Sequence, residues 1–251
     1  TDVYDAIIEA SLRWAIRHQL DKMRFDEAPA AITVIGMGRY GGREVNFSSD
    51  ADVIIIYRPT EEADDGQANL FARKVQEDLR AILQGPTTFE PKIELDMDLR
   101  PEGKNGPLVR SYASCEEYYR SWASTWEHQA LLRARHAAGD VALAEDFLVN
   151  IADPLRYPKT DLTETQIAEI RKLKARMEAE RLPRGVRRER HLKLGKGGLS
   201  DVEWTIQLLQ LQHAGENANL CVNGTLEALD ELERRRLIDA GDAVILRKAW
   251  R

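Results

Sequence analysis

Three acidic residues in the first hundred positions have the types and spacing that a divalent metal site requires. Asp50 and Asp52 are separated by one residue at the start of an apolar run, so in a strand their side chains share a face. Asp96 belongs to a second acidic segment. Carboxylate oxygens are the ligands that Mg²⁺ and Mn²⁺ prefer, usually together with substrate phosphates. These residues therefore predict a site for two metal ions and a reacting phosphate.

The segment around Asp96 alternates between apolar and charged residues, which is typical of a strand with one buried face. Glu94, Asp96 and Asp98 share the charged face, and Arg100 follows them on it. We expect Asp96 to be the third metal ligand and the base that accepts a hydroxyl proton. Glu94 and Asp98 are alternative third ligands, because they point the same way.

A glycine-rich segment separates the two apolar runs of the first sixty residues. Residues 36–41 read G-M-G-R-Y-G, which matches the G-x-G-x-x-G pattern of dinucleotide-binding folds. That fold needs a long helix after the third glycine and an acidic residue about 20 positions further on. Here a new apolar run begins at residue 51, and Tyr57 and Arg58 occupy the later positions. We therefore predict an antiparallel or tightly connected strand pair, whose glycines let backbone amides approach a triphosphate.

Hydrophobic periodicity places these residues in an α+β region that is followed by helices. The predicted strands are 30–35, 51–57 and 93–99, and the predicted helices are 2–20, 61–83, 114–122, 125–137, 141–151, 163–180, 199–214, 224–236 and 239–251. The predicted fold is a small mixed sheet with helices, then an all-helical bundle. The corresponding domains are residues 1–112, with an N-terminal helix, and residues 113–251.

Composition argues against a disordered, a nucleic-acid-binding or a membrane-spanning protein. The chain has 251 residues, of which 43% are hydrophobic and 31% charged, as in globular rather than disordered proteins. Its formal net charge of −6 argues against a nucleic-acid partner, and no apolar run approaches the roughly 20 residues that span a bilayer. Two unpatterned cysteines fit a reducing cytoplasm. The chain starts without Met and stops within a predicted helix, which indicates a piece of a longer protein.

A basic segment in the helical half is a second candidate for phosphate contact. Residues 171–196 carry eleven Lys and Arg against three Glu. Lys193 and Lys196 flank glycines just before a predicted helix, an arrangement that can hold a phosphate, although the Walker pattern is absent. The alternative is structural, because Ser200 and Glu203 match a capping box that would begin the helix.

These features together resemble a known superfamily. The G-x-G of residues 36–38, the D-x-D of residues 50–52 and a later acidic strand resemble the nucleotidyltransferases typified by DNA polymerase beta. Longer strings are similar to the glutamine synthetase adenylyltransferase family over roughly residues 30–215. They are GMGRYGGREVNFSSDADV at 36–53, DMDLRPEG at 96–103, TWEHQAL at 125–131 with RAR at 133–135, and GGLSDVEW at 197–204.

The resemblance implies transfer of AMP from ATP to a tyrosine of glutamine synthetase, with Mg²⁺ or Mn²⁺ held by the three aspartates. A serine often stands in the superfamily where this chain has Gly38, so a backbone contact or Ser48 and Ser49 would replace its hydroxyl. The candidate nucleotide contacts are Gly36, Gly38, Arg39, Ser48, Ser49, Lys193 and Lys196.

Enzymes of this family carry two such domains, one that attaches AMP and one that removes it by phosphorolysis. The W-E-H-Q-A-L-x-R-A-R string is more similar to the attaching, C-terminal copy. The alternatives are the adenylyl-removing activity and a non-catalytic nucleotide-binding module. The resemblance also implies a PII signalling protein as a regulator and a cytoplasmic location.

Overall fold

The computed structural model describes residues 1–46, 49–85, 92–180, 185, 187 and 191–251 of the chain. Two compact units form: unit 1 contains residues 1–123 and 133–152, and unit 2 contains residues 124–132 and 153–251. A division into compact units does not establish which segments fold independently. The predicted domain boundary between residues 112 and 113 therefore stays a prediction. Ser48 lies outside the described residues.

The chain forms eleven described α-helices and five described strands. The strands are β1 (Ala30–Gly36), β2 (Ala51–Pro59), β3 (Leu95–Asp96), β4 (Val109–Ser111) and β5 (Arg135–Gly139). The helices are α1 (Asp2–Met23), α2 (Gly38–Gly41), α3 (Asp65–Gln84), α4 (Tyr112–Ser121), α5 (Thr125–Leu131), α6 (Val141–Phe147), α7 (Asp153–Arg156), α8 (Glu164–Glu180), α9 (Leu199–His213), α10 (Thr225–Arg234) and α11 (Ala240–Trp250). Short 3₁₀ turns cover Gly103–Asn105 and Ala218–Leu220, and a π-helical turn covers Leu148–Ala152.

β1 and β2 form the antiparallel pair that the glycine-rich connection predicted. Ile35 lies opposite Ile54 and Gly36 opposite Val53. Both strands consist largely of buried β-branched residues, which suit the centre of a sheet. The connection contains the single helical turn α2 and returns the chain at once, so the end of β1 lies beside the start of β2. The Met37 amide, which donates to the Asp52 carbonyl at 2.8 Å, closes this end.

β3 and β4 pair with β2 in parallel, along successive stretches of the edge that β1 leaves open. Asp96 lies opposite Asp52, and Val109 lies opposite Ile55. With β5 on the far side of β1, the sheet has five strands in mixed orientation. The predicted α+β class, a small mixed sheet with helices, is therefore confirmed.

Arg100 was placed wrongly by the alternating pattern. The strand predicted over 93–99 pairs with β2 only at β3, and the chain turns after it. Arg100 is buried, and its guanidinium donates to the carbonyls of Met97 at 2.8 Å and Gly106 at 3.0 Å. These carbonyls accept hydrogen bonds from the buried guanidinium of Arg100. The alternating pattern by itself predicted that this side chain would be exposed to solvent.

The helix predicted over 125–137 was also wrong in its second half. α5 begins with a capping box, in which Ser124 and Glu127 satisfy each other's backbone amides, and it ends at Leu131. β5 follows and pairs antiparallel with β1, placing Arg135 opposite Gly36. The alanines of this segment favour a helix locally. The free edge of β1 needs hydrogen-bond partners, however, and pairing with it outweighs the local helix propensity.

The core of unit 1 lies where α1 and α3 pack against the sheet. Phe71, Val75 and Leu79 recur every four residues of α3, so they form one buried stripe. Asp78 on this helix accepts hydrogen bonds from His18 Nδ1 at 2.7 Å and Gln19 Nε2. These contacts join α3 to α1, the helix that also runs beside β5.

Unit 2 has a core of its own, formed by α9, α10 and α11 around residues such as Ile206, Leu229 and Leu232. A smaller cluster joins Leu132, Ile170 and Leu211. No helix among the described residues combines the length and the apolar character needed to cross a bilayer.

Candidate active site

Three carboxylates of unit 1 converge where β2 begins. Asp50 directly precedes β2, Asp52 lies inside it, and Asp96 lies opposite Asp52 on β3. One carboxylate oxygen from each residue lies within 4.8 Å of the other two. Asp52 and Asp96 are half-buried and Asp50 is exposed. The structure thus brings together the three aspartates that the sequence singled out, and we call them the carboxylate cluster.

The two alternative ligands lie outside this cluster. Asp98 is turned toward cations, with its Oδ2 at 3.2 Å from Lys104 Nζ and its Oδ1 at 3.8 Å from Arg100 Nη1. The Asp98 amide instead donates to Asp96 Oδ1 at 2.7 Å and so orients that side chain. Glu94 is exposed and contributes its carbonyl to pairing with the start of β2. Within the part of the chain that is described, no other set of three carboxylates, imidazoles or thiols gathers this closely.

The glycine turn, residues 36–42, lies against Asp52. Gly38 has a φ of +50°, and a Cβ at this position would stand 2.1 Å from Asp52 Oδ2. A Cβ at Gly41 would stand 2.0 Å from the carbonyl oxygen of Arg133. Both positions therefore require glycine. The absence of side chains brings the backbone of the turn directly beside the carboxylate cluster.

Of the other predicted contacts, Gly36 and Arg39 belong to this turn, and Ser49 follows it in the chain. Gly36 ends β1, and Arg39 lies half-buried in α2. Ser49 directly precedes Asp50 in the chain, and its Oγ accepts a hydrogen bond from the Asn46 amide at 3.0 Å. Its carbonyl accepts one from the Tyr4 hydroxyl, also at 3.0 Å. Ser49 thus fixes the chain just before the first aspartate.

The carboxylate cluster fits a divalent cation. Three negative side chains this close repel one another, and a cation with hard oxygen ligands removes the repulsion. Oxygens bound to one Mg²⁺ at about 2.1 Å lie at most about 4.2 Å apart. Small side-chain rotations would therefore bring the cluster, whose oxygens lie within 4.8 Å, into contact with one ion.

A cavity of about 380 Å³ opens beside the carboxylate cluster. Asp50 and Asp96 line it together with three cations, Arg80 of α3, Arg100 and Lys104. The glycine turn, every residue of which is described, is not part of its lining. Sequence reasoning did not single out Arg80 or Lys104. Lys104 follows the acidic segment closely enough to have been suspected, whereas nothing in the pattern of α3 distinguishes Arg80.

Lys193 and Lys196 lie in unit 2, in the loop before α9, and both side chains are exposed. The backbone amides of this loop donate within the protein, for example Gly195 to the His191 carbonyl and Gly198 to the Gly195 carbonyl. A phosphate would therefore meet the lysine side chains rather than a set of open amides.

The capping box predicted at Ser200 is wrong. The N-cap of α9 is Gly198, and the Ser200 hydroxyl donates to the Lys193 carbonyl. The Ser200 amide donates to the Lys193 carbonyl at 3.0 Å, and Glu203 Oε1 accepts a hydrogen bond from Gln207. The helix begins at Leu199, where periodicity placed its start, but its N-cap is Gly198 rather than Ser200. Carbonyls of the loop satisfy its first amides, with Leu199 donating to Leu192 and Ser200 to Lys193.

An ion-pair network holds this loop to α8. Asp201 accepts a hydrogen bond from the Gly197 amide at 2.6 Å and pairs with Lys174, which also pairs with Glu178. Burial alone would raise the pKa of Asp201, but the hydrogen bonds from Lys174 and Gly197 outweigh it and hold the pKa below its usual value. Burial would likewise lower the pKa of Lys174, and its two carboxylate partners raise it.

We expect Asp201→Asn to lower the free energy of unfolding by about 1–2 kcal/mol at pH 7. A depressed carboxylate pKa contributes stability above the ordinary aspartate pKa of about 4, and this contribution disappears as the pH falls through the folded-state value. Urea unfolding at pH 7 and near pH 2 measures it. The difference between the parent and the variant should vanish at the lower pH, and a difference independent of pH would contradict this account.

Comparison with known proteins agrees with this geometry. The family model described as glutamate-ammonia ligase adenylyltransferase matches residues 1–150. A second model, described as GlnD PII-uridylyltransferase, matches residues 168–251. The first match contains the whole carboxylate cluster and the glycine turn, and the second covers most of unit 2.

Individual relatives cover the whole chain. A protein of Bifidobacterium longum (strain DJO10A) is 79% identical over 250 residues, and one of Mycobacterium avium (strain 104) is 48% identical over 252. Both are named bifunctional glutamine synthetase adenylyltransferase/adenylyl-removing enzyme, and this chain spans 23% and 25% of their respective lengths. The family model covers more than half of the chain, so the chain belongs to the glutamate-ammonia ligase adenylyltransferase family.

Proposed function

We propose that this chain transfers AMP from ATP to a tyrosine hydroxyl of glutamine synthetase and releases pyrophosphate. The observation that carries the proposal is the carboxylate cluster, with oxygens within 4.8 Å of one another beside a glycine turn. Family membership supports nucleotidyl transfer as the reaction. The names of the relatives supply the acceptor protein, since they specify glutamine synthetase.

In the proposed reaction the tyrosine oxygen forms a bond to the α-phosphorus of ATP. The bond from that phosphorus to the oxygen bridging the α- and β-phosphates breaks, and its electron pair leaves with pyrophosphate. The hydroxyl proton passes to a carboxylate, and we assign this role to Asp96. The Asp98 amide, at 2.7 Å from Asp96 Oδ1, orients the accepting side chain and leaves its other oxygen for the proton.

Asp50, Asp52 and Asp96 would hold Mg²⁺ or Mn²⁺. When bound, a divalent ion lowers the pKa of the acceptor hydroxyl and offsets the charge of the phosphates. The backbone of the glycine turn could approach the phosphates closely, because Gly38 carries no side chain between the turn and the carboxylates. We propose Gly36, Arg39, Ser48, Ser49, Lys193 and Lys196 as further contacts of the nucleotide.

We place the acceptor tyrosine in the cavity beside the carboxylate cluster. β2 has the glycine turn at the end of β1 on one side and β3, with Asp96, on the other. The nucleotide phosphates on the glycine side would leave the β3 side for the acceptor. Asp96, the proposed base, lines that cavity, as do Arg80 and Lys104.

Replacing both Arg80 and Lys104 with alanine is expected to raise the KM for glutamine synthetase about tenfold, because two exposed cations that line the cavity attract and orient a negatively charged protein surface. The KM for ATP should change less than about twofold. Steady-state kinetics with each substrate varied in turn measures both constants. Arg73→Ala is the matched control, since Arg73 is an exposed arginine of α3 outside the cavity lining. An equal rise in both KM values would refute the placement of the acceptor.

The direct test of the function is radiolabel transfer. The chain is incubated with glutamine synthetase and ATP labelled at the α-phosphate, with Mg²⁺ or Mn²⁺, and the label is followed into protein. The proposal expects labelled glutamine synthetase, and no label when its target tyrosine is replaced by phenylalanine. Label that appears equally in the phenylalanine variant would count against a tyrosine acceptor.

The opposing reaction is the second candidate, because the relatives are named for both activities. In that case the chain would release ADP from adenylylated glutamine synthetase and phosphate. A parallel incubation with the modified target and phosphate, without ATP, separates the two. A non-catalytic module would bind ATP in the presence of metal and give product in neither reaction.

We also propose partners and a location that follow from this activity. The substrate protein would meet the chain in the cytoplasm, and a PII signalling protein would regulate the longer enzyme. The match of residues 168–251 to a PII-uridylyltransferase model supports a link to this signalling system. Changes in AMP transfer on addition of purified PII protein would test it.

A further inference from the structure

Arg135 lies where three segments of unit 1 meet. It begins β5 and stands opposite Gly36, the last residue of β1, at the entrance to the glycine turn. Its side chain is only 10% exposed although it carries a full charge. A buried guanidinium requires a counter-charge and acceptors for its N–H groups, so its partners show what it holds in place.

The guanidinium of Arg135 joins the glycine turn to α1. Its Nε donates to the Gly41 carbonyl at 3.2 Å, and Nη2 donates to the Tyr40 carbonyl at 3.1 Å. Nη1 and Nη2 also donate to the two carboxylate oxygens of Asp5 at 3.0 and 2.8 Å. The Tyr40 ring, fully buried, lies 4.8 Å from the guanidinium carbon. One planar group thus binds two successive carbonyls of the turn and anchors them to a carboxylate on a long helix.

We propose that Arg135 is a positioning residue for ATP binding, which holds the glycine turn at its distance from Asp52. The inference rests on the proposed function, in which this turn contacts the triphosphate. The Met37 amide ties the start of the turn to the Asp52 carbonyl. Gly38 has no side chain to support the rest of the turn, so residues 40 and 41 are held from the opposite side. Arg135 makes the bonds that hold them and does not itself line the carboxylate cavity.

Lysine cannot reproduce this arrangement. Its ammonium is a single point with three donors, whereas the planar guanidinium reaches both oxygens of Asp5 and two carbonyls together. Arg135→Lys keeps the charge but releases part of the turn. We expect the KM for ATP to rise about tenfold or more, and the KM for glutamine synthetase to stay within about twofold.

This split distinguishes positioning from a general loss of structure. A variant that is partly unfolded has fewer active molecules, which lowers kcat without raising the KM for ATP. Equilibrium binding of a fluorescent ATP analogue to the full chain, with Mg²⁺, gives a second readout that needs no acceptor protein. Weaker analogue binding by Arg135→Lys is expected, and unchanged binding together with an unchanged KM for ATP would overturn the proposal.

Asp5→Asn provides the second variant if Arg135→Lys does not fold. It leaves Arg135 in contact with the turn but removes the ionic anchor, so about a threefold rise in the KM for ATP is expected. Arg58→Lys is the control, because Arg58 pairs with Asp146 at 2.7 Å near the far end of β2. A rise in the KM for ATP of the same size in Arg58→Lys would also overturn the proposal.

Failure of the proposed function would look different. If the parent chain binds the ATP analogue but transfers no AMP to glutamine synthetase, the acceptor or the reaction is wrong. The binding comparison between Arg135→Lys and the parent would still decide the role of Arg135.

Discussion

Asp52→Asn is expected to reduce AMP transfer at least about a thousandfold, equivalent to about 4 kcal/mol of transition-state stabilisation. Asp52, one of the two half-buried members of the carboxylate cluster, contacts the glycine turn and pairs with the strand of Asp96. An amide keeps the shape of the side chain but removes the negative charge that a divalent ion requires. Initial rates of label transfer at saturating ATP and glutamine synthetase measure the loss.

The same variant should be at least as stable as the parent in the absence of metal. Carboxylates with oxygens within 4.8 Å repel one another, so neutralising one relieves strain in the folded state. Added Mg²⁺ should raise the thermal midpoint of the parent, because it binds only the folded form, and should raise that of Asp52→Asn much less. Thermal unfolding with chelator and with Mg²⁺ tests both statements independently of activity.

Asp98→Asn is the matched control for this experiment. Asp98 lies two residues from Asp96, but its carboxylate faces Lys104 and Arg100. We expect its activity to fall less than about fivefold, and that of Asp96→Asn to fall as far as that of Asp52→Asn. The reverse order for Asp96 and Asp98 would move the third ligand to Asp98, and full activity in Asp52→Asn would exclude the proposed chemistry.

Gly38→Ala should reduce AMP transfer at least about a hundredfold while lowering the free energy of unfolding by only about 1–2 kcal/mol. The added Cβ would stand 2.1 Å from Asp52 Oδ2 and 2.8 Å from its Cγ, so the carboxylate must rotate away. A side-chain end can move at little cost to the fold, but here that end is the functional group. The positive φ adds about 1–2 kcal/mol of backbone strain. Activity and thermal unfolding, measured on the same samples, test this combination.

Gly185→Ala controls for the backbone strain. Gly185 has a φ of +85°, and a Cβ added there would have none of the described atoms within 4 Å. Alanine at this position therefore introduces the backbone strain without a steric clash like that between position 38 and Asp52. We expect nearly full activity. Equal losses of activity in the two variants would show that backbone strain, rather than displacement of Asp52, explains the effect at position 38.

The sequence was enough to single out Asp50, Asp52 and the glycine turn as parts of the candidate site, because the patterns that mark them are local. Asp50 and Asp52 share a face because a strand has a period of two, and the glycines mark a turn too short for a dinucleotide-binding helix. The antiparallel pairing of β1 and β2 follows from that short connection. The third carboxylate was ambiguous, because alternation places Glu94, Asp96 and Asp98 on one face without saying which of them approaches β2.

Long-range contacts decided what the sequence left open. The parallel register of β2 and β3 brings Asp96, rather than Glu94 or Asp98, opposite Asp52. Pairing with β1 turns the second half of a predicted helix into β5 and so delivers Arg135 to the glycine turn. Local patterns encode which face a side chain takes, because that depends on neighbouring residues. Strand register, and the partners of a buried charge such as Arg135, depend on segments far apart in the chain, so only the tertiary structure could determine them.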